Sequence, residues 1–145
     1  NFIFGRLTRS AGWWPDYQLR LLRRGKAGYD PRRPVHEVVL LEGEAGHLEH
    51  PLIHYNYHSM AQFLRKQWRY SRLEAGAILA AGETARARSL IGRPVREFWR
   101  RFVSLKGYQD GVHGLWLSLL MASYSFVVQA RVLAATFGKR SQLAL

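Results

Sequence analysis

The sequence predicts an α+β fold, in which a small β-hairpin region comes first and several helices follow. Two observations lead to this prediction. Short apolar and β-branched runs, separated by Gly and Pro, occupy residues 1–58 and are typical of strands. Longer runs with helix-capping signals fill residues 59–145. We therefore divide the chain into a first part, 1–58, and a helical second part, 59–145, with an amphipathic tail suited to a membrane surface.

Composition narrows the class of partner. The 145 residues carry a formal net charge of +12 and no cysteine. A disulfide framework and a thiolate metal site are therefore excluded, while the positive surplus implies an anionic partner such as phospholipid, nucleic acid or a phosphorylated substrate. Lys and Arg are absent from residues 35–58, which hold four Glu and five of the six His. Because the chain begins at Asn1 without an initiator Met, we expect Asn1 to be a fragment boundary or a processed end rather than a native start.

The first part is predicted to contain two paired strands. Pro15 fixes its own φ and favours a turn over residues 13–16. The other elements that we predict here are the end of an element over 1–12, a strand over 17–24, a loop over 25–34, a strand over 35–41, a turn over 42–46 and an extended stretch over 47–57. The last two extended stretches would form a hairpin, with Pro51 limiting the second to an edge or a break.

The second part is predicted to be helical throughout. Ser59 and Gln62 have the spacing of a capping box, so a helix should run from there to about Ala81 and end at Gly82. We expect a short helix over 83–91, a break at 92–94, and a helix from Pro94 to about residue 105. A turn over 107–111 and a last helix over 112–137 follow.

The last two predicted helices favour contact with a membrane. Residues 112–130 contain no Lys, Arg, Asp or Glu, although the stretch is barely long enough to span a bilayer. The preceding helix combines a basic set with an apolar and aromatic set, as helices in the headgroup layer do. These sets are Arg93, Arg96, Arg100, Arg101 and Lys106, and Val95, Phe98, Trp99, Phe102 and Val103. The alternative is a buried core helix beside an ordinary solvated face, and we expect surface contact rather than a full span.

Five strings occur in a fixed order along the chain: GWWPDYQLRLLRR (12–24), PVHE (34–37), HPLIHYNY (50–57), FLRKQWRYS (63–71) and GYQDGVHG (107–114). In order and spacing they resemble one group of family 2 glycosyltransferases. These are the lipopolysaccharide-core glucosyltransferase-like enzymes, which are related to the β-1,4-glucosyltransferase of the inner core. The resemblance covers nearly the whole chain.

The resemblance implies the C-terminal half of a GT-A fold. In that fold the first half binds a nucleotide-sugar, and an Asp-X-Asp type motif holds a divalent metal, Mg²⁺ or Mn²⁺, against the diphosphate. This chain has only Asp16, Asp30 and Asp110, which are far apart. The chain would thus supply the acceptor-facing side in 1–58, while the donor half and the main metal ligands lie elsewhere. The resemblance also implies a peripheral enzyme on the cytoplasmic face of the bacterial inner membrane, with a glycan or lipid-linked acceptor.

Glu37 is the candidate catalytic base by the same resemblance. An inverting transferase needs a carboxylate to take the proton of the acceptor hydroxyl. Glu37 follows a Pro-rich loop where a strand is predicted to begin, whereas Glu42 and Glu44 lie in a predicted turn. His36 would shape or hydrogen-bond the site. The alternative is that Glu37 is a surface carboxylate at the start of a strand.

The remaining candidates would bind the sugar and the diphosphate. Trp13 and Trp14 would wall the acceptor pocket and Asp16 would accept hydrogen bonds from sugar hydroxyls, unless one Trp is simply core. The candidates for the diphosphate are Arg20, Arg23, His54, Lys66 and Arg69, some of which must simply be solvated. His54 is also the candidate for a metal ligand, although a standalone zinc site is not expected, because Pro51 interrupts the spacing of the histidines.

A second hypothesis, of a binding module rather than an enzyme, stays open. A basic helical module that binds an anionic membrane or nucleic acid, and catalyses nothing, would explain the charge and the amphipathic helices equally well. It would not explain the Trp-Trp-Pro-Asp turn or the His36-Glu37 pair. We therefore expect a transferase whose partners do not include nucleic acid.

Overall fold

The computed structural model describes residues 1–29 and 39–143, with side chains up to residue 138. The chain forms two compact units. The first unit comprises Asn1–Pro15 and His54–Leu145, and the second comprises Asp16–Ile53. Short strands and three α-helices confirm the predicted α+β class. The division into an acceptor-side part, 1–58, and a helical part, 59–145, stays a prediction.

A small sheet opens the first unit. Its strands are β1 (Phe2–Ile3), β2 (Arg6–Leu7) and a later strand, Tyr55–Tyr57, in the order β2, β1, Tyr55–Tyr57. β1 and β2 are antiparallel across a turn in which Phe4 and Gly5 both have positive φ, as the tightest hairpins require. The predicted element over 1–12 is therefore a hairpin of its own. Tyr55–Tyr57 pairs in parallel with β1.

In the second unit the strands β3 (Ala27–Tyr29) and β4 (Val39–Leu41) pair antiparallel. Three predictions are wrong here. Residues 25–34 were predicted as a loop, yet β3 lies within them. The hairpin predicted between 35–41 and 47–57 does not form, because β4 pairs with β3. The strand predicted over 17–24 is absent, since Tyr17 and Leu21 are 73% and 78% exposed and give the stretch no buried face.

The remaining strand and the first helix lie in the first unit. Of the extended stretch predicted over 47–57, only β5 (Tyr55–Tyr57) is a strand. The first helix, α1 (Met60–Ala80), confirms the prediction closely. The Ser59 side chain accepts the N–H of Gln62 at 3.2 Å, and the Gln62 side chain accepts the N–H of His58 at 2.8 Å. Gly82 follows with a φ of +76°, as a helix-ending glycine does.

The segment after α1 corrects two predictions. Residues 83–88 are not helical, and α2 (Ser89–Trp99) runs through the break predicted at 92–94. Pro94 lies inside α2 rather than at its first position. Its missing N–H leaves one carbonyl of the preceding turn without a helical partner, which packing against the rest of the unit offsets. A π-helical turn, Arg100–Ser104, continues α2, and a 3₁₀ turn, Gly107–Asp110, precedes α3 (Gly111–Leu143).

The core of the first unit lies along α3. Near the start of α3, Leu117 packs with Phe63 of α1, Ile3 and Tyr57, and all four are buried. Farther along α3, Val132 packs with Ala75 of α1 and with Ala85. Because early residues of α1 meet early residues of α3, and late meet late, the two helices run in the same direction. α2, which lies between α1 and α3 in the sequence, packs against α3.

Candidate functional site

Two of the predicted site residues in the first unit meet around the side chain of Asn1. The Nδ2 of Asn1 donates to the Trp13 carbonyl at 2.6 Å, and its Oδ1 lies 2.8 Å from the Nδ1 of His54. Next to them, the edge of the Trp13 ring packs on Tyr57, with ring centroids 6.1 Å apart. Lys66 completes the group, with its Nζ 5.0 Å from the centroid of the Tyr57 ring. We call Asn1, Trp13, His54, Tyr57 and Lys66 the Tyr57 cluster.

The chain forms the Tyr57 cluster because β5 inserts Tyr57 into the core. Tyr57 is 7% exposed and packs on Phe63, while Gln67 donates to its hydroxyl at 3.2 Å. Burial is the largest influence on the Tyr57 pKa, which lies above its ordinary value despite the Gln67 hydrogen bond and the nearby Arg101. The hydroxyl is therefore protonated at neutral pH and serves as a hydrogen-bonding group rather than as a base.

A charged pair lies against the Trp13 side of the cluster. Arg101 places its guanidinium carbon 5.5 Å from the Trp13 ring centroid and donates to the carbonyl of Ala11 at 2.8 Å. Its Nε also donates to Glu97 at 2.6 Å. Burial would raise the pKa of Glu97, but hydrogen bonds from Arg100 and Arg101 hold it below the ordinary value. The pair is thus ionised and satisfied, and it fixes the position of the Trp13 ring.

The two tryptophans therefore differ. Trp13 is half-buried, and its Nε1 is buried without a hydrogen-bond partner in the described part of the chain. Trp14 is 47% exposed and precedes a cis bond to Pro15. Trp14 offers the freer aromatic face, whereas much of Trp13 is committed to packing.

The other predicted site residues are exposed or fall outside the described residues. Arg69 is exposed on α1, three residues after Lys66. Asp16, Arg20 and Arg23 are exposed in the second unit, where Asp16 accepts a hydrogen bond from Gln18 at 2.9 Å. The catalytic candidates His36 and Glu37 fall outside the described residues. Within residues 1–29 and 39–143, no group of three His, Asp or Glu side chains is arranged to hold a metal ion.

A second polar group, which sequence reasoning did not single out as a site, joins residues 8–10 to the start of α3. Asp110 accepts the Ser10 hydroxyl at 2.6 Å and the Arg9 N–H at 3.1 Å. His113 Nε2 lies 3.1 Å from the Thr8 hydroxyl. We call Thr8, Arg9, Ser10, Asp110 and His113 the α3 clasp. The signal was present in GYQDGVHG, whose Asp and His are three residues apart.

Two glycines of the same string allow the α3 clasp to form. A Cβ on Gly114 would lie 1.8 Å from the carbonyl oxygen of Gly107. A Cβ on Gly107 would lie 2.8 Å from the carbonyl oxygen of Arg101. Both positions therefore require glycine, because the backbone of the 3₁₀ turn lies directly against α3 at Gly114 and against the π-helical turn at Gly107.

The α3 clasp is structural rather than nucleophilic. A hydrolytic triad needs a hydroxyl bonded to a histidine that is itself held by a carboxylate. Here Asp110 holds Ser10, and His113 contacts Thr8. Burial, and then the charge of Arg6, lower the pKa of His113 against the opposing effect of Asp110. The ring is therefore neutral at pH 7 and fills a packing position.

The chain is similar to a known protein over most of its length. It is 31% identical, over 115 residues, to the lipopolysaccharide core biosynthesis glycosyltransferase LpsC of Rhizobium meliloti (strain 1021). This likeness supports a glycosyltransferase family. The aligned residues make up 79% of this chain and 43% of that protein, so the chain spans less than half the length of the relative. No protein-family model matches the chain, and no solved structure matches it.

Proposed function

We propose that this chain is the acceptor-facing, C-terminal half of a family 2 glycosyltransferase of the GT-A fold. The complete protein would transfer a hexose, with inversion, from a nucleotide-sugar to a glycan or lipid-linked acceptor. The observation that carries the proposal is the 31% identity to a lipopolysaccharide core glycosyltransferase over most of this chain. The five ordered strings support it, since they extend from residue 12 to residue 114.

In the proposed reaction Glu37 is the general base, and His36 beside it orients or hydrogen-bonds the site. The carboxylate takes the proton of an acceptor hydroxyl while that oxygen attacks the anomeric carbon of the donor sugar. The bond from the anomeric carbon to the diphosphate breaks, and the nucleoside diphosphate leaves with the electron pair. The base must be held close to the acceptor oxygen for this transfer.

Aromatic and basic side chains would bind the two substrates. The exposed face of Trp14 suits a sugar ring, and Trp13 would add a second aromatic wall. The carboxylate of Asp16 would accept hydrogen bonds from sugar hydroxyls. Arg20, Arg23, Lys66, Arg69 and His54 would stabilise the negative charge that develops on the leaving diphosphate. Lys66 is the best placed of these, because it lies in the Tyr57 cluster with Trp13 and His54.

A divalent metal, Mg²⁺ or Mn²⁺, belongs to the proposed complete enzyme. The described residues of this chain do not fit a metal site of their own. His54 would offer a single ligand atom, Nε2, because Asn1 lies against its Nδ1. We therefore propose that the donor half supplies the main metal ligands.

We further propose a peripheral location on the cytoplasmic face of the inner membrane, on an anionic lipid surface. Gly107–Gly138 is long and apolar enough to cross a bilayer by length and composition alone. However, α1 and α2 pack along α3 and carry exposed arginines such as Arg69, Arg72 and Arg96. A span would draw these groups towards hydrocarbon at about 2.5–3.5 kcal/mol each, so surface binding costs less.

The test of the base is Glu37→Gln in the complete gene product, with Glu44→Gln as a matched control. We expect the Glu37 variant to lose transfer by a factor of about 10²–10⁴, because the amide cannot accept the proton. Binding of the nucleotide-sugar, measured by calorimetry, should stay nearly unchanged in both variants. Turnover at the wild-type rate in the Glu37 variant would refute the assignment.

A further inference from the structure

Helix α2 has three distinct faces. Ile91, Val95 and Trp99 follow one another at intervals of four residues, so they lie in a line on one side of the helix. Their exposed fractions are 72%, 60% and 61%. We call these three residues the α2 strip. An exposed line of large apolar side chains is unusual on a soluble surface and marks a place that meets a partner.

A different set of apolar residues on this segment is already used within the unit. The rings of Phe98 and Phe102 are half-buried and stack on each other at 5.4 Å. Phe102 also meets Tyr108 edge-on at 6.3 Å. The aromatic set predicted from the sequence is thus split, because Phe98 and Phe102 pack within the unit while Val95 and Trp99 stay exposed. Only the outward set is free to bind.

The third face of α2 is basic. Arg93, Arg96 and Arg100 are exposed. Arg96, three residues before Trp99, borders the α2 strip, whereas Arg93 lies 4.0 Å from Glu83. Glu97 is the sole acidic residue between positions 84 and 109, and Arg100 and Arg101 both bond to it. No free carboxylate on α2 therefore opposes an anionic partner.

From this arrangement we propose that the α2 strip inserts shallowly into an anionic phospholipid bilayer, with Arg96 at the headgroup phosphates. A narrow apolar line with a basic face along one side matches the boundary between acyl chains and headgroups. The inference deepens the membrane location proposed above and rests on it. The α2 strip is the membrane-binding surface, the lipids are anionic, and α2 lies in the plane of the membrane interface.

A nucleic acid would use the basic face but would leave the α2 strip in water. A second protein surface would cover the strip but would not require anionic groups along its border. A bilayer with anionic headgroups satisfies both faces at once, which is why we choose it.

The test is sedimentation of this chain with phosphatidylcholine vesicles that contain 30% phosphatidylglycerol, a mixture that is about one-third anionic. The double variant Val95→Ser/Trp99→Ser should bind about tenfold more weakly or worse, because two inserted side chains are lost. Arg96→Gln should weaken binding about fivefold on these vesicles and much less on neutral ones. Both sets of positions are exposed, so circular dichroism should show the wild-type fold.

The matched control is Leu64→Ser/Leu73→Ser on α1, whose side chains are 54% and 42% exposed. Its binding should equal that of the wild type. Wild-type binding by the Val95/Trp99 variant, or an equal loss in the control, would overturn the α2 strip while leaving the membrane location intact. Failure of the wild-type chain to bind any vesicle, or a preference for duplex DNA, would overturn the location as well. None of these results bears on Glu37, which the transfer assay tests separately.

A second measurement reports insertion directly. Acyl chains brominated close to the headgroup should quench part of the tryptophan fluorescence of the bound wild type. In Trp99→Phe that quenched part should fall sharply, because the other four tryptophans lie outside the α2 strip. Unchanged quenching in Trp99→Phe would contradict insertion at this position.

Discussion

The two units of the chain hold their candidate residues in different ways. In the first unit, Asp110, His113, Gly107 and Gly114 each have a packing or hydrogen-bonding partner that explains why that residue type is present. In the second unit, Asp16, Arg20 and Arg23 are exposed, and the regular structure among its described residues is one ladder of three residue pairs. Packing and hydrogen bonding therefore explain these four residues of the first unit, whereas the binding roles of the three exposed residues of the second unit stay a prediction.

The sharpest test of this difference compares two glycines. Gly114→Ala should reduce the free energy of unfolding by about 3 kcal/mol or more, because its Cβ would overlap the Gly107 carbonyl. Gly28→Ala in β3 meets no atom within 4 Å and should change stability by less than about 1 kcal/mol. Urea unfolding followed by circular dichroism measures both variants. A stable Gly114→Ala protein would mean that the 3₁₀ turn does not lie against α3.

A pair of aspartates extends the comparison from backbone to side chains. Asp110→Ala should cost about 1–3 kcal/mol, because the buried Ser10 hydroxyl and the Arg9 N–H lose their acceptor. Asp16→Ala should stay within about 0.5 kcal/mol of the wild type, since the side chain is exposed. In the complete protein, Asp16→Ala should instead raise the KM for the acceptor. The reverse pattern, with Asp16 needed for stability, would remove the contrast between the units.

The smallest expected effect is a pH dependence that arises in the α3 clasp. The folded-state pKa of His113 lies below its ordinary value, chiefly through burial. The unfolded chain therefore binds the proton more readily, and stability from this group is complete above the unfolded pKa of about 6.5 and declines as pH falls towards the folded value. His113→Gln should remove this part of the decline. Thermal melts of both proteins across this range measure it, and parallel curves would show that His113 does not contribute.

Local signals predicted α1 well, but not α2. Ser59, Gln62 and Gly82 act over a few residues, and the structure confirms the helix that they delimit. The failures needed information from distant residues. Pro94 is tolerated inside α2 because packing outweighs its propensity, and β5 leaves its predicted partner because Tyr57 is buried against Phe63. The close approach of Gly107 and Gly114 could not be predicted from a single sequence either.

The candidate site, too, was predicted only in part. Sequence and resemblance named Trp13, His54 and Lys66, and the structure brings these three together around Tyr57 and Asn1. The linking roles of Asn1 and Tyr57 were not predicted, although Tyr57 ends the string HPLIHYNY (50–57). His36 and Glu37 lie outside the described residues, so their roles stay predictions.

The side chain of Asn1 has a consequence for how such a chain can diversify. It bonds to Trp13 and to His54, the residues near which the chain leaves the first unit and returns to it. The side-chain amide of Asn1 thus joins the two ends of the segment 16–53, whatever the length of that segment. Closing a longer segment costs only about 0.6 kcal/mol for each doubling of its length. We therefore expect insertions and deletions between residues 16 and 53 to cost the first unit little stability.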